Sequence, residues 1–263
     1  MTEHQASIWL DLDVVPRKVF PVPPITIVIC QIRFRQLVEL SSQTITKLQK
    51  KLTELFPDVT KEQSSVPDAG SNQSTSWRFA DLENNWAITL GLESVALETR
   101  AYVDFDLFRE RFAVALSAIE TVIRPKLCTR IGLRYVNEFR ESDQQWQKCV
   151  RSELLGLAAV QEFNPYITQT ISQTHLTNGD DRITIGHGIF PFGSVVSPKP
   201  DEMPLQTPFY LLDIDVAREF TGPSRFDIRK DKVMRIIEEL HKTESRLFWW
   251  SITPEFASEH GER

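Results

Sequence analysis

Apolar and polar positions along this chain repeat with two different periods, and each change of period marks an element. From Ile25 to Phe34 the pattern has period two. Ile25, Ile27 and Ile29 fall on one face and Val28, Cys30, Ile32 and Phe34 on the other, which predicts a strand covered on both sides. Ile45, Leu48, Leu52 and Leu55 lie on one helical stripe, with Ser41 or Ser42 as the cap and Pro57 as the stop. Residues 58–76 are rich in Ser, Asp, Gln, Asn, Pro and Gly and predict a mobile loop. Trp77–Ala80 and Trp86–Gly91 predict a hairpin around Glu83-Asn84-Asn85, and Val95–Tyr102 a third strand. Phe108, Phe112, Ala115, Leu116, Ile119, Val122 and Ile123 then define a long one-faced helix that ends before Pro125.

A second strand-like run, Thr129 to Phe139, closes this set and opens another in nearly the same order. Trp146, Val150, Leu154, Leu157 and Ala158 have helical spacing and stop before Pro165. Ile167–Thr177 and Arg182–Phe190 flank Asn178-Gly179, a strong hairpin signal. A proline-rich insertion from Pro191 to Pro208 precedes the strand Phe209–Val216, and Ile228–Leu240 predicts a helix. Phe248 to Ile252 reads as a last strand or packed tail. Leu97-Glu98 and Leu212-Asp213 hold matching places in the two sets.

The expected class is therefore α+β, with two β-α-β-β-β-α units forming curved antiparallel sheets packed against long helices. That order is analogous to TATA-box-binding-protein-like and helix-grip architectures. The expected organisation is a proline-rich extended arm at 1–24, a first unit at 25–127 and a second at 128–263, with a seam strand at 128–139.

Composition narrows the function classes. Of the 263 residues, 41% are hydrophobic, and six tryptophans and sixteen phenylalanines supply aromatic area to bury. A net charge of −6 disfavours bulk attraction to nucleic acid or anionic lipid. Cys30, Cys128 and Cys149 are scattered without C-x-x-C spacing, which fits reduced thiols and a cytoplasmic location. No run approaches the length of a transmembrane helix, so no membrane partner is expected. P-loop, G-x-S-x-G, H-E-x-x-H and zinc-type cysteine patterns are missing, and no cofactor, metal or catalytic set is expected.

Three sets of residues invite chemistry. Arg130 and Arg134 share a strand face with Gly132 between them, so their guanidiniums could hold a carboxylate or phosphate while the glycine admits it to the backbone. Ion pairs with acids on neighbouring strands, such as Glu98 or Asp213, serve the same pattern. Asp213 and Asp215 share a face, as metal or acid–base carboxylates can, and as any hydrated face does. His187, between Gly186 and Gly188, is the best candidate general base, with His175 on the other arm of its hairpin and Asp180, Asp181 and Asp213 as carboxylate partners.

Pro23-Pro24-Ile25, Trp77-Arg78-Phe79, Leu97-Glu98-Thr99 and the central Arg130-Ile131-Gly132-Leu133-Arg134-Tyr135-Val136-Asn137 together resemble a sporadically distributed family of uncharacterised bacterial proteins of about this length. The resemblance covers most of the chain. It implies horizontally moved genes and a toxin–antitoxin or defence neighbourhood, and it brings no catalytic residues. The leading expectation is a non-catalytic interaction protein whose partner is another protein, encoded nearby, with the loops 58–76 and 191–208 ordering on it. A homo-oligomer is compatible with the same composition. The alternatives are a small anionic-ligand binder using Arg130, Arg134 and His187 in a pocket between sheet and helices, and an enzyme using His187 with nearby aspartates.

Overall fold

In the computed structural model, which describes residues 10–14, 16, 20–64, 74–140, 145–193 and 207–261, the alternating runs become strands. Strand β1 (Ile25–Phe34) buries Val28, Cys30, Ile32 and Phe34 and leaves its other face half-covered. Helix α1 (Ser42–Leu52) is capped by Ser41, whose hydroxyl accepts from the Thr44 amide at 3.3 Å, and it buries Ile45, Leu48 and Leu52. Each such fully buried aliphatic side chain contributes roughly 1.5–3 kcal/mol. β2 (Asp58–Ser64), β3 (Ser74–Ala80), β4 (Trp86–Leu90) and β5 (Ser94–Thr99) follow, and α2 (Phe105–Val122) packs its apolar stripe from Phe108 to Ile119.

After β6 (Cys128–Phe139) come two short helices, α3 (Trp146–Cys149) and α4 (Ser152–Leu155), and 3₁₀ turns at Gly156–Ala159 and Asn164–Tyr166. β7 (Ser172–Asn178), β8 (Asp181–Phe190) and β9 (Phe209–Glu219) complete the strands. α5 (Lys230–Ser251) and α6 (Pro254–His260) end the chain's regular structure. The mixed α/β class expected from the sequence is observed. The described strands hydrogen-bond in the order β2-β3-β4-β5-β1-β6-β9-β8-β7, so β2 and β7 are the edges.

Four expectations need correction. Residues 58–64 and 74–76 are not loop: the first form strand β2, which pairs antiparallel with β3 from Asp58↔Ala80 to Ser64↔Ser74, and the second begin β3; residues 65–73 of the expected loop lie outside the described residues. The run from Trp146 to Ala158 is not one helix, because Val150 leaves helical geometry to bridge Ile252 and Gly156 turns at φ +56°. The helix expected to end at Leu240 continues to Ser251, so Phe248, Trp249 and Trp250 are helical and not a strand. The Asn178-Gly179 signal does make a hairpin, but Asn178 pairs with Asp181, leaving Gly179 at φ +57° as the first loop residue. Most of the proline-rich insertion, 194–206, lies outside the described residues.

Two compact units emerge, neither contiguous in sequence. The first comprises Ile27–Leu133 and Ala217–Leu240; the second comprises Met1–Thr26, Arg134–Val216 and His241–Arg263. In the first, Val28, Ile32, Ile88, Leu90, Val95 and Leu97 supply the buried sheet face, and α1 and α2 lie in contact. In the second, the described part of the arm is pinned to α5. Arg246 donates to Asp11 and to the Leu12 carbonyl at 3.2 Å each, Arg151 donates to the Asp13 carbonyl at 2.8 Å, and Phe20 stacks on Trp249 with ring centroids 5.3 Å apart. Residues 1–9, 15 and 17–19 of the expected arm lie outside the described set.

Candidate functional site

Strand alternation in the second unit separates the residues that the sequence singled out. Tyr210 and Asp213 are three apart on β9 and so face opposite sides of the strand. On the Asp213 side, Arg134 is held bidentately: Nε donates to Oδ1 at 2.7 Å and Nη2 to Oδ2 at 2.5 Å. That hydrogen-bonded carboxylate raises the Arg134 pKa above its ordinary value, with the Asp215 charge adding to it. Glu98 takes a different arginine, Arg78, at 2.6 Å.

Arg130 and Arg134 are four strand residues apart, about 13 Å along the backbone, and the Arg134 guanidinium is already engaged by Asp213. Gly132 has a different use from the one expected. A Cβ there would fall 2.7 Å from the Arg130 guanidinium carbon, so the glycine makes room for that side chain. Neither arginine lines the cavity described next.

His187 faces the other side, among Ile183, Ile185 and Ile189 of β8. It lines a cavity of about 520 Å³, within the range of small-ligand sites. The walls come from four parts of the second unit: Leu10 and Leu12 of the arm, residues 153–157 around α4, the β7–β8 hairpin with Thr170 and Ile171 leading into it, and Leu247 and Trp250 at the end of α5. Most of that lining is aliphatic or aromatic. Gly188 sets the wall's position. A Cβ at that point would lie 2.8 Å from the Thr170 carbonyl carbon and 3.2 Å from Ile171 Cα. The two segments are held at this closeness by Thr170 N–H to the Ile189 carbonyl at 3.0 Å and Ile189 N–H to Thr170 Oγ1 at 2.9 Å.

The ring of His187 is fixed from behind. Tyr210 Oη donates to the Leu154 carbonyl at 2.8 Å and lies 3.0 Å from His187 Nδ1. Burial pushes the His187 pKa below the ordinary histidine value, opposed in part by the Leu154 carbonyl. Burial also pushes the Tyr210 hydroxyl pKa up from its ordinary value, so it stays protonated. The imidazole is thus neutral near neutral pH.

The structure does not bring the expected partners to His187. His175 pairs with Thr184, its Nδ1 3.1 Å from Oγ1, whereas Ser172 is the residue opposite His187. Asp181 ends the hairpin six residues away, about 20 Å along the strand. Asp213 is committed to Arg134 on the opposite face. Among the described residues no group of three His, Cys, Asp or Glu side chains is placed to hold a metal ion.

Sequence reading missed Tyr210 at the site and, outside the cavity lining, the buried acid Glu244. Tyr210 is an aromatic in an apolar strand, with nothing local to mark it. Glu244 was legible: it sits four residues after Leu240 and three before Leu247 on the buried stripe of α5. It is 3% exposed, and burial pushes its carboxyl up to about 8.

No family model matches the chain, and no curated protein matches it either.

Proposed function

We propose that this is a non-catalytic binding protein whose ligand site is the apolar cavity at His187. The observation that carries the reading is the combination of a 520 Å³ mostly apolar space with one oriented imidazole in its wall, the usual composition of a site that selects by shape first and by a single polar contact second. A hydrocarbon probe tests it. Titration with 1,6-diphenylhexatriene, which fluoresces when desolvated, should give saturable one-to-one binding. Thr174→Trp, on the exposed edge strand and in the cavity wall, should weaken that binding at least tenfold by filling the space. Absence of saturation, or an unchanged affinity in the variant, would sink the reading.

A second reading is a docking site for a protein partner. It is favoured by the exposed Phe163, Tyr166 and Ile171 beside edge strand β7, whose outer hydrogen-bonding groups can accept an added strand. It keeps the partner expected from the sequence, a neighbouring gene product of a toxin–antitoxin or defence cluster, and the expected family resemblance. The internal duplication belongs here too: β5-β4-β3 lie beyond β1 in the same succession as β9-β8-β7 beyond β6, which supports a TATA-box-binding-protein-like or helix-grip-like origin. No helix among the described residues is long and apolar enough to cross a membrane. A cytoplasmic site of action is proposed with it.

A further inference from the structure

We infer that the cavity's ligand carries a hydrogen-bond-donor head, an alcohol or an amine, on an apolar body, and that His187 Nε2 is the atom that accepts from it. This rests on the reading of the cavity as a binding site and adds the chemical class of what enters.

Proton accounting within the site leads there. Tyr210 has one hydroxyl proton, and a carbonyl can only accept, so that proton is given to Leu154. The contact between Tyr210 Oη and His187 Nδ1 then needs its proton from the histidine, which makes Nδ1 the donor. A neutral imidazole carries one N–H, so Nε2 is left with a lone pair and no proton. With Nδ1 turned to Tyr210, Nε2 is the polar atom that the ring contributes to the cavity wall. The Leu154 carbonyl, acting through Tyr210, therefore fixes not only the ring's orientation but which kind of group it can recognise.

The rest of the wall agrees. No lysine or arginine is among the described residues that line the cavity, and its one acidic side chain is Glu153, which brings further acceptor oxygens. A carboxylate or phosphate head would meet a lone pair and an acidic side chain in a lining that contains no lysine or arginine. An ester or ketone would set its oxygen against the Nε2 lone pair and leave both unsatisfied. A hydroxyl or ammonium satisfies Nε2 and leaves the aliphatic walls to the apolar body. The anionic ligand expected from Arg130 and Arg134 is thus disfavoured on both counts.

The test compares heads on one chain length by displacement of bound diphenylhexatriene. 1-Octanol and octylamine are expected to displace it at about tenfold lower concentration than methyl octanoate or octanoate, the factor that one hydrogen bond supplies. In His187→Phe the advantage of octanol over methyl octanoate should disappear, read as the ratio of their displacing concentrations. If the dye fails to bind the wild type, the cavity reading itself falls. If the dye binds but ester and carboxylate compete as well as the alcohol, the donor-head inference is overturned and the cavity reading stands. An alcohol preference that persists in His187→Phe also overturns it. Should that variant not fold, the wild-type comparison of alcohol with ester decides alone.

Discussion

Glu244→Gln should make the protein more stable, by an amount that grows with pH. Glu244 lies on the buried stripe of α5, and burial holds its carboxyl near 8 against an ordinary value of 4.5. The folded chain therefore keeps a proton that the unfolded chain has released throughout the interval between those values. Its contribution is fully present below pH 4.5 and is lost as pH rises toward 8, at about 1.4 kcal/mol per pH unit. From pH 4.5 to 7 that is about 3 kcal/mol, and over the whole interval about 5 kcal/mol, a large share of a typical domain's stability. Glutamine keeps the shape and removes the titration. His187, whose pKa is depressed, works in the opposite sense, losing stability as pH falls below about 6.5. It is present in both proteins and cancels in the difference. Urea denaturation of both proteins at half-unit steps from pH 4.5 to 8 supplies the curves. They should nearly meet at the acid end and diverge with the slope given. Parallel curves, or a variant weaker by the same amount at every pH, would show that Glu244 is not buried in the way described.

Three further outcomes follow from the same coordinates. Gly188→Ala should cost about 2 kcal/mol or more in chemical denaturation and weaken diphenylhexatriene binding, because the new methyl meets the Thr170 carbonyl; a neutral effect on both would remove that contact from the wall. Arg134→Ala should cost about 1 kcal/mol and leave dye binding unchanged, since its pair with Asp213 is half-exposed and on the other face; loss of binding would return the arginines to the site. The thiols should not react with Ellman's reagent at pH 8 until denaturant is added, since Cys30, Cys128 and Cys149 are buried and burial pushes Cys128 up to about 12; one fast thiol in native buffer would contradict this.

The elements legible in the sequence are those whose burial has a period. β1, α1, α2, β6, β8 and β9 each carry an apolar face that the alternation reveals. β2 was illegible because its residues Asp58–Glu62 bury little and the strand is held as an edge by pairing with β3. α3 and α4 mimic one helix in spacing, yet a bridge from Val150 to Ile252 breaks it, a contact 102 positions away that no local pattern encodes. Phe248-Trp249-Trp250 looked strand-like from aromatic content, while the stripe through Leu240, Glu244 and Leu247 carried the helix through it. The cavity was the least legible, since its walls converge from residues 10 to 250. His187 was noticed for its flanking glycines, but for another reason than theirs: Gly188 admits Thr170 and does not uncover the ring.

Methyl-resolved NMR with 1-octanol locates the binding site independently of any dye. In protein labelled at Ile and Leu methyls, stepwise addition should shift Leu10, Leu12, Leu155, Leu157, Ile171 and Ile185 together, with one dissociation constant, while Ile27 and Ile29 stay fixed. Shifts absent from that set, or scattered over the surface without saturation, would mean that the cavity at His187 is not where this protein binds.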